Sequence, residues 1–138
     1  MSCFYCEKGE KLDSFTIKIG ELGVSTLYLQ KEQSYYGRCL LVYKRHVEEV
    51  FELDKTEWCA FMEDAHTVTG AMSKLYMPDK INVGMFGDTV RHLHAHVVPK
   101  RTGELDWNSI FQLNANKTFL SEEEYAQMVA AYRDCLDL

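Results

Sequence analysis

Three of the chain's five histidines fall within five residues, in the run His92-Leu93-His94-Ala95-His96-Val97-Val98-Pro99. The alternation predicts a strand that turns all three imidazoles to one face and Leu93, Ala95 and Val97 to the core. Neighbouring imidazoles on such a face start about 6.6–6.8 Å apart, twice the rise per residue, and one tetrahedral phosphate can bridge that gap. Two chemistries are open to this arrangement. The imidazoles can bind a catalytic metal. Alternatively, one neutral imidazole attacks phosphorus while its other nitrogen is held as a donor, typically by a backbone carbonyl. Water then cleaves the resulting P–N bond, and a neighbouring histidine manages the proton of the leaving group. A single histidine on a helix, such as His66, is by contrast expected to be an ordinary surface residue.

Cys3 and Cys6 are the one closely spaced pair among five cysteines. A redox pair would follow a strand and open a helix in a βαβ unit, and that context is missing. The first residues lack a basic stretch followed by an apolar one, and no run approaches the roughly 20 apolar residues of a membrane span. The expectation is therefore a cytoplasmic chain without membrane contact, in which a disulfide is disfavoured. Zinc would need two more ligands besides Cys3 and Cys6. Cys39, Cys59 and Cys135 sit singly in apolar patterns and read as small buried hydrophobes.

The elements that must position these groups follow from periodicity. Ser14 to Ile19 and Ser25 to Gln30 are rich in β-branched and aromatic residues and are separated by Gly20 and Gly23, which predicts a hairpin. Gly37 opens a further strand over Arg38 to Lys44. Trp58, Phe61, Met62, Ala65, Val68, Met72, Leu75 and Tyr76 then make one helical stripe, with Asp54 and Glu57 as its capping pair and Pro78 as its stop. That helix should run about six turns. Lys80 to Phe86 and Val90 to Pro99 read as strands around Gly87-Asp88-Thr89. Ser121 to Glu124 is a capping box for a final helix of roughly four turns. Lys100 to Phe119 shows no regular pattern. The order implies an α+β fold, with a mainly antiparallel sheet, one long helix and a C-terminal helix.

At 138 residues and 46% hydrophobic, the chain suits a single domain over residues 1–138. The net charge of −6, with no cluster of Lys and Arg, excludes an extended nucleic-acid groove. A small phosphorylated ligand stays open, since local donors can hold one phosphate against an unfavourable global charge.

The histidine run resembles the signature of the histidine-triad (HIT) family, histidine-x-histidine-x-histidine with apolar residues between and after. The likeness extends upstream through Asn82, Gly87-Asp88-Thr89-Val90 and His92. It reaches further back to Gly37 followed by Leu40-Leu41-Val42-Tyr43-Lys44-Arg45-His46. It covers roughly residues 3 to 100 and implies a HIT-like fold. It implies His94 as nucleophile, with His96 contacting the phosphate and leaving group. Asn82, Gly87, Asp88 and the Thr89 hydroxyl would hold phosphate oxygens, and Gln30 would sit where many members bind the ribose diol. A glycine allows close backbone approach to an anion, and N–H and hydroxyl donors stabilise charge on phosphoryl oxygens; Gly87-Asp88 would equally serve as a plain hairpin turn. The final histidine of the triad goes with hydrolysis in this family. The resemblance also implies a structural zinc on Cys3, Cys6, His46 and His92, as in the zinc-containing branch, and a homodimer.

The chain departs from the pattern in four places. Arg38 stands where the family has histidine; it can grip a phosphate through two donors or simply face solvent. Asp88 replaces a glutamine and puts a carboxylate where a phosphate should approach. Gln30 replaces an aspartate, and Tyr43 a proline. Trp107 could stack on a base or pack in the core or an interface. Three functions follow. The first is a hydrolase of dinucleoside polyphosphates or nucleoside phosphoramidates working through a nucleotidyl-His94. The second is a nucleotide-binding module without turnover, and the third a metalloenzyme whose triad holds the metal.

Overall fold

The computed structural model describes residues 2–138. Five strands, β1 (Thr16–Glu21), β2 (Ser25–Gln30), β3 (Cys39–Tyr43), β4 (Lys80–Gly84) and β5 (His94–Lys100), form one sheet in the order β1-β2-β3-β5-β4. Every neighbouring pair is antiparallel. Two four-residue helices, α1 (Phe4–Glu7) and α2 (Glu10–Asp13), precede the sheet. The long helix α3 (Lys55–Tyr76) joins β3 to β4, and α4 (Glu122–Leu136) closes the chain. This is the α+β architecture that the periodicity predicts. No helix among the described residues is long and apolar enough to cross a membrane.

Strands β2, β3 and β5 are buried along their whole length because both faces of the sheet are covered. Odd-numbered residues, among them Leu29, Leu41, Ala95 and Val97, pack with Phe61, Val68 and Met72 of α3 and with Tyr125, Met128 and Tyr132 of α4. The stripe expected on α3 is thus its core face. Asp54 and Glu57 cap the helix reciprocally, and Ser121 and Glu124 do the same for α4. The buried Asp64 carboxylate ties α3 to the first hairpin, accepting from Gly23 N, Val24 N and Ser25 Oγ at 3.1, 2.9 and 2.5 Å.

Even-numbered residues form the opposite face. Near the middle strands, Tyr28, Leu40 and Val42 pack under Tyr5 and Leu12 of the N-terminal helices. Towards the other end, Val98 lies under Tyr35 and Phe111. Two separate covers on one sheet face leave a gap between them, and that gap holds the site.

Three local expectations need correction. The last strand begins at His94, not Val90; residues 88–93 are turns, so His92 lies outside the strand and does not share its alternation. Cys59 is exposed, whereas Cys39 is buried and Cys135 half-buried. The first strand starts at Thr16, because residues 10–13 form α2. As expected, His66 is exposed on α3.

Gly37, which leads the chain into Arg38, has φ +106°, and a Cβ there would lie 2.7 Å from the Tyr76 ring. Gly37→Ala combines backbone strain with overpacking. It should cost about 2–4 kcal/mol, read as a lower urea midpoint with an unchanged slope.

Candidate functional site

The turn before β5 separates the histidines. His92 donates through Nε2 to the Tyr43 carbonyl at 2.7 Å, since a carbonyl can only accept. Its Nδ1 lone pair therefore points the other way, into a group made with Cys3, Cys6 and His46, whose ligand atoms all lie within 4.8 Å of one another. The Cys3 Sγ–His92 Nδ1, Cys6 Sγ–His46 Nδ1 and Cys6 Sγ–His92 Nδ1 distances are 3.4, 3.4 and 3.5 Å, and the two Nδ1 atoms are 3.2 Å apart. With Zn–S near 2.3 Å and Zn–N near 2.0–2.1 Å, a tetrahedron has S···N edges of about 3.5 Å and N···N edges of about 3.3 Å. The four residues fit zinc on donor type and on these spacings. The Tyr43 carbonyl supplies the outer hydrogen bond that orients a ligating imidazole. Four protein ligands leave no open position.

His94 and His96 follow strand alternation and face the gap, with ring centroids 5.4 Å apart. His94 Nδ1 donates to its neighbour's carbonyl, His92 O, at 2.6 Å. The remaining nitrogen, Nε2, is then the lone-pair atom. Burial pushes the His94 imidazole below its ordinary pKa, partly offset by this hydrogen bond, so the ring is neutral at pH 7. His96 is pushed down to about 3, first by burial, then by competition with the neighbouring His94 imidazole for a proton, and then by the Arg38 charge. A neutral imidazole with one nitrogen tied and the other free is a nucleophile.

Both rings line a cavity of about 580 Å³, within the range of small-molecule sites. Gly87, Asp88, Thr89 and Val90 form one wall, with Gly87 at φ +114° where an L side chain would be strained. Phe4, Tyr5, Phe15, Leu40 and Phe86 make the apolar walls, and Gln30, Leu113 and Asn114 close the remaining side. The Tyr5 ring lies against both His94 and His92, at 5.1 and 5.5 Å between centroids. An aromatic slot beside a neutral nucleophile suits a planar base joined to a phosphate.

Of the residues singled out in the sequence, Gln30, Gly87, Asp88, Thr89, His94 and His96 therefore meet at one cavity, and Cys3, Cys6, His46 and His92 meet at one cluster beside it. Two do not join them. Asn82 pairs with Val98 across β4 and β5 and lines a different cavity, with Lys100 and Trp107. Arg38 has no exposed surface and is absent from the cavity wall, so neither a solvent-facing nor a phosphate-gripping position describes it. Its Nη1 donates to Gln112 O at 3.2 Å and lies 3.8 Å from Glu32 Oε1, and its guanidinium sits over the Tyr35 ring. Trp107 does not line the His94 cavity.

Periodicity overlooked Phe4, Tyr5 and Phe86. Phe4 and Tyr5 lie between the two cysteines, and the Cys3-x-x-Cys6 spacing is the signal that could have placed them near His46 and His92. Phe86 is half-exposed and packs edge-on to His96 and Phe111, at 6.1 and 6.0 Å.

Comparison with known proteins finds the HIT domain over residues 12–103. The chain is 29% identical over 109 residues to adenosine 5'-monophosphoramidase of Schizosaccharomyces pombe, a match spanning 75% of this chain and 78% of the relative. Among solved structures it is similar to a histidine triad protein of Sinorhizobium meliloti 1021. That pair is 29% identical with TM-score 0.83, and 93% and 95% of the two chains are covered. A zinc-bound histidine triad family protein of Mycobacterium smegmatis shares the fold, with TM-score 0.68 at 20% identity over 99% and 94% of the two chains.

Proposed function

The chain belongs to the HIT domain family, and we propose that it hydrolyses small nucleotides carrying a phosphoramidate or phosphoric anhydride bond, through a nucleotidyl intermediate on His94. The carrying observation is the bond from His94 Nδ1 to His92 O, which leaves Nε2 unprotonated and facing a cavity large enough for a nucleotide. The resemblance to a monophosphoramidase agrees with a phosphoramidate substrate.

The Nε2 lone pair of His94 attacks the α-phosphorus, and the bond from phosphorus to the leaving nitrogen or oxygen breaks. The Gly87–Thr89 loop lines the phosphate's side of the cavity and offers N–H and hydroxyl donors for charge on the phosphoryl oxygens. His96 supplies a hydrogen bond to the leaving atom. A polyphosphate leaves as a stable anion and needs no proton. An amine needs one, which the phosphoramidate nitrogen takes up from solvent before its bond to phosphorus breaks, the neutral His96 then bonding a phosphoryl oxygen instead. Water then adds to phosphorus and gives up a proton to solvent as the P–N bond to His94 breaks, returning the ring to its neutral form and releasing the nucleoside monophosphate.

Zinc on Cys3, Cys6, His46 and His92 would be structural in this reading, holding α1 and its Phe4 and Tyr5 against the cavity. The HIT match begins at residue 12 and excludes both cysteines, so the zinc rests on the cluster's own spacings. The reading includes a homodimer. β4 is an outer strand, and Val83, Met85 and Phe86 are 45%, 38% and 47% exposed, an apolar edge that a second copy would cover.

Asp88 is the observation that favours the second reading, nucleotide binding without turnover. It is exposed and lines the cavity, opposing an anionic ligand. Mass spectrometry after rapid mixing with adenosine 5'-phosphoramidate or a diadenosine polyphosphate separates the two. An AMP adduct that peptide mapping locates on His94 supports the hydrolase. Tight binding with no adduct and no product would leave the binding module.

A further inference from the structure

Among the described residues, four buried side-chain polar atoms on or next to the neighbouring strands β2, β3 and β5 have no partner: Arg38 Nε, Arg38 Nη2, Gln30 Oε1 and His96 Nδ1. Their side chains belong to residues that are 0%, 6% and 8% exposed. Leaving such groups unpaired is unfavourable, most of all for a charged one, so their grouping calls for an explanation. The sheet register brings them together. Gln30 N bonds to Arg38 O across β2 and the entry to β3. Leu40 lies opposite His96, which sets Arg38, two residues earlier on the same face, diagonally beside the histidine. Gln30 is oriented by its Nε2, which donates to Leu113 O at 3.4 Å, so its Oε1 is the free end.

We propose that Arg38 is a positioning residue that acts through His96, fixing it as the Nε2–H tautomer and so aiming a constant hydrogen-bond donor at the phosphate. The inference rests on reading His94 and His96 as the reacting pair.

The donor count favours one arrangement. Arginine has donors only, so a proton on His96 Nδ1 would leave three donors facing the single acceptor Gln30 Oε1. An unprotonated Nδ1 instead gives the cluster two donors, Arg38 Nε and Nη2, and two acceptors, Gln30 Oε1 and His96 Nδ1. Two donors and two acceptors match the capacity of one water, which accepts two hydrogen bonds and donates two. The single imidazole proton then sits on Nε2. Three charged or titratable groups bear on His96: His94 beside it on β5, Arg38 from the start of β3, and Asp88 in the loop that lines the same cavity. Burial and the Arg38 charge both oppose the imidazolium, while Asp88 is exposed and screened. Arg38 itself is held by Glu32, Gln112 O and the Tyr35 face, and Tyr35 in turn bonds Asp106 and Gln112 N. The same cation thereby anchors the segment that delivers Phe111 to His96, at 5.8 Å.

Long-range ¹H–¹⁵N spectra of ¹⁵N-labelled protein, with His96 assigned through His96→Gln, test this without substrate. Wild type should show a protonated Nε2 and a bare Nδ1, unchanged from pH 8 to pH 5. Arg38→Lys keeps a buried cationic donor and should keep that pattern. Arg38→Met should mix the tautomers and move His96 titration upward, with burial still holding it below its ordinary value. A wild-type His96 that carries its proton on Nδ1, or titrates between pH 8 and 5, overturns the proposal. So does an Arg38→Met protein whose His96 behaves as in wild type, since a merely structural arginine would change stability alone. Should Arg38→Met fail to fold, the wild-type and Arg38→Lys spectra decide. None of these outcomes depends on turnover, so a missing adduct on His94 would be a separate failure.

Discussion

His94→Ala is expected to lower kcat for a nucleoside phosphoramidate by about 10⁴-fold or more, while AMP binds within a few-fold of wild type. The two effects separate for a structural reason. His94 is 7% exposed and contributes one reactive atom to a cavity whose size and apolar walls come from other residues. Truncating it removes the only nitrogen held as an unprotonated donor to phosphorus, and nothing nearby replaces it. His96 is two residues further along β5 and, as its Nδ1 is buried, offers no second nucleophile in the same position. The fold should tolerate the change, because Tyr5 and the cavity walls remain packed. Isothermal titration with AMP and single-turnover kinetics measure the two quantities. A variant that turned over at more than about a tenth of the wild-type rate would sink the covalent route.

Removing the metal cluster should act on a different quantity. Native mass spectrometry is expected to find one zinc per chain, lost in Cys6→Ser, and the variant's Tm should fall by roughly 10 °C or more. Four-residue helices such as α1 have no stability of their own, since nucleation alone costs more than one turn of hydrogen bonds returns. The cluster joins α1 to His46 after β3 and to His92 before β5. Its loss frees the cover over Tyr28, Leu40 and Val42. Losing a few kcal/mol of metal coordination converts to that shift at roughly 3 °C per kcal/mol for a domain of this size. Increased hydrogen exchange should concentrate in residues 2–15. Metal-free protein that is still folded should continue to hydrolyse substrate, because the reacting atoms belong to His94 and His96. Abrupt loss of all turnover on chelation, with no change in folding, would instead favour a catalytic metal. An unchanged Tm and an absent metal would refute the structural site.

Local pattern was informative where one period controlled the outcome. The stripe from Trp58 to Tyr76, bracketed by Asp54 and Pro78, matches α3 because a helix buried on one side repeats its apolar contacts every 3.6 residues. Ser25–Gln30 matches β2 at both ends. Leu93, Ala95 and Val97 do face the core. Alternation failed at His92, where the chain is still in a turn and the ring follows its bond to the Tyr43 carbonyl instead of a pleat. The N-terminal helices were invisible because four residues are too few to show a period.

The amino-acid order alone determined the pairing of a histidine run with a glycine loop, the long helix, and two cysteines close enough to share a metal. Those are properties of neighbours along the chain. Only the tertiary structure decided that the first histidine joins Cys3, Cys6 and His46 while the other two line the cavity, that Asn82 lines another cavity, and that Arg38 is buried diagonally beside His96. Each of these depends on strand register and on which segment covers which end of one sheet face, and residues more than 50 positions apart meet there. Burial then turned those meetings into chemistry, since an arginine in water and an arginine under a sheet impose different demands on the same imidazole.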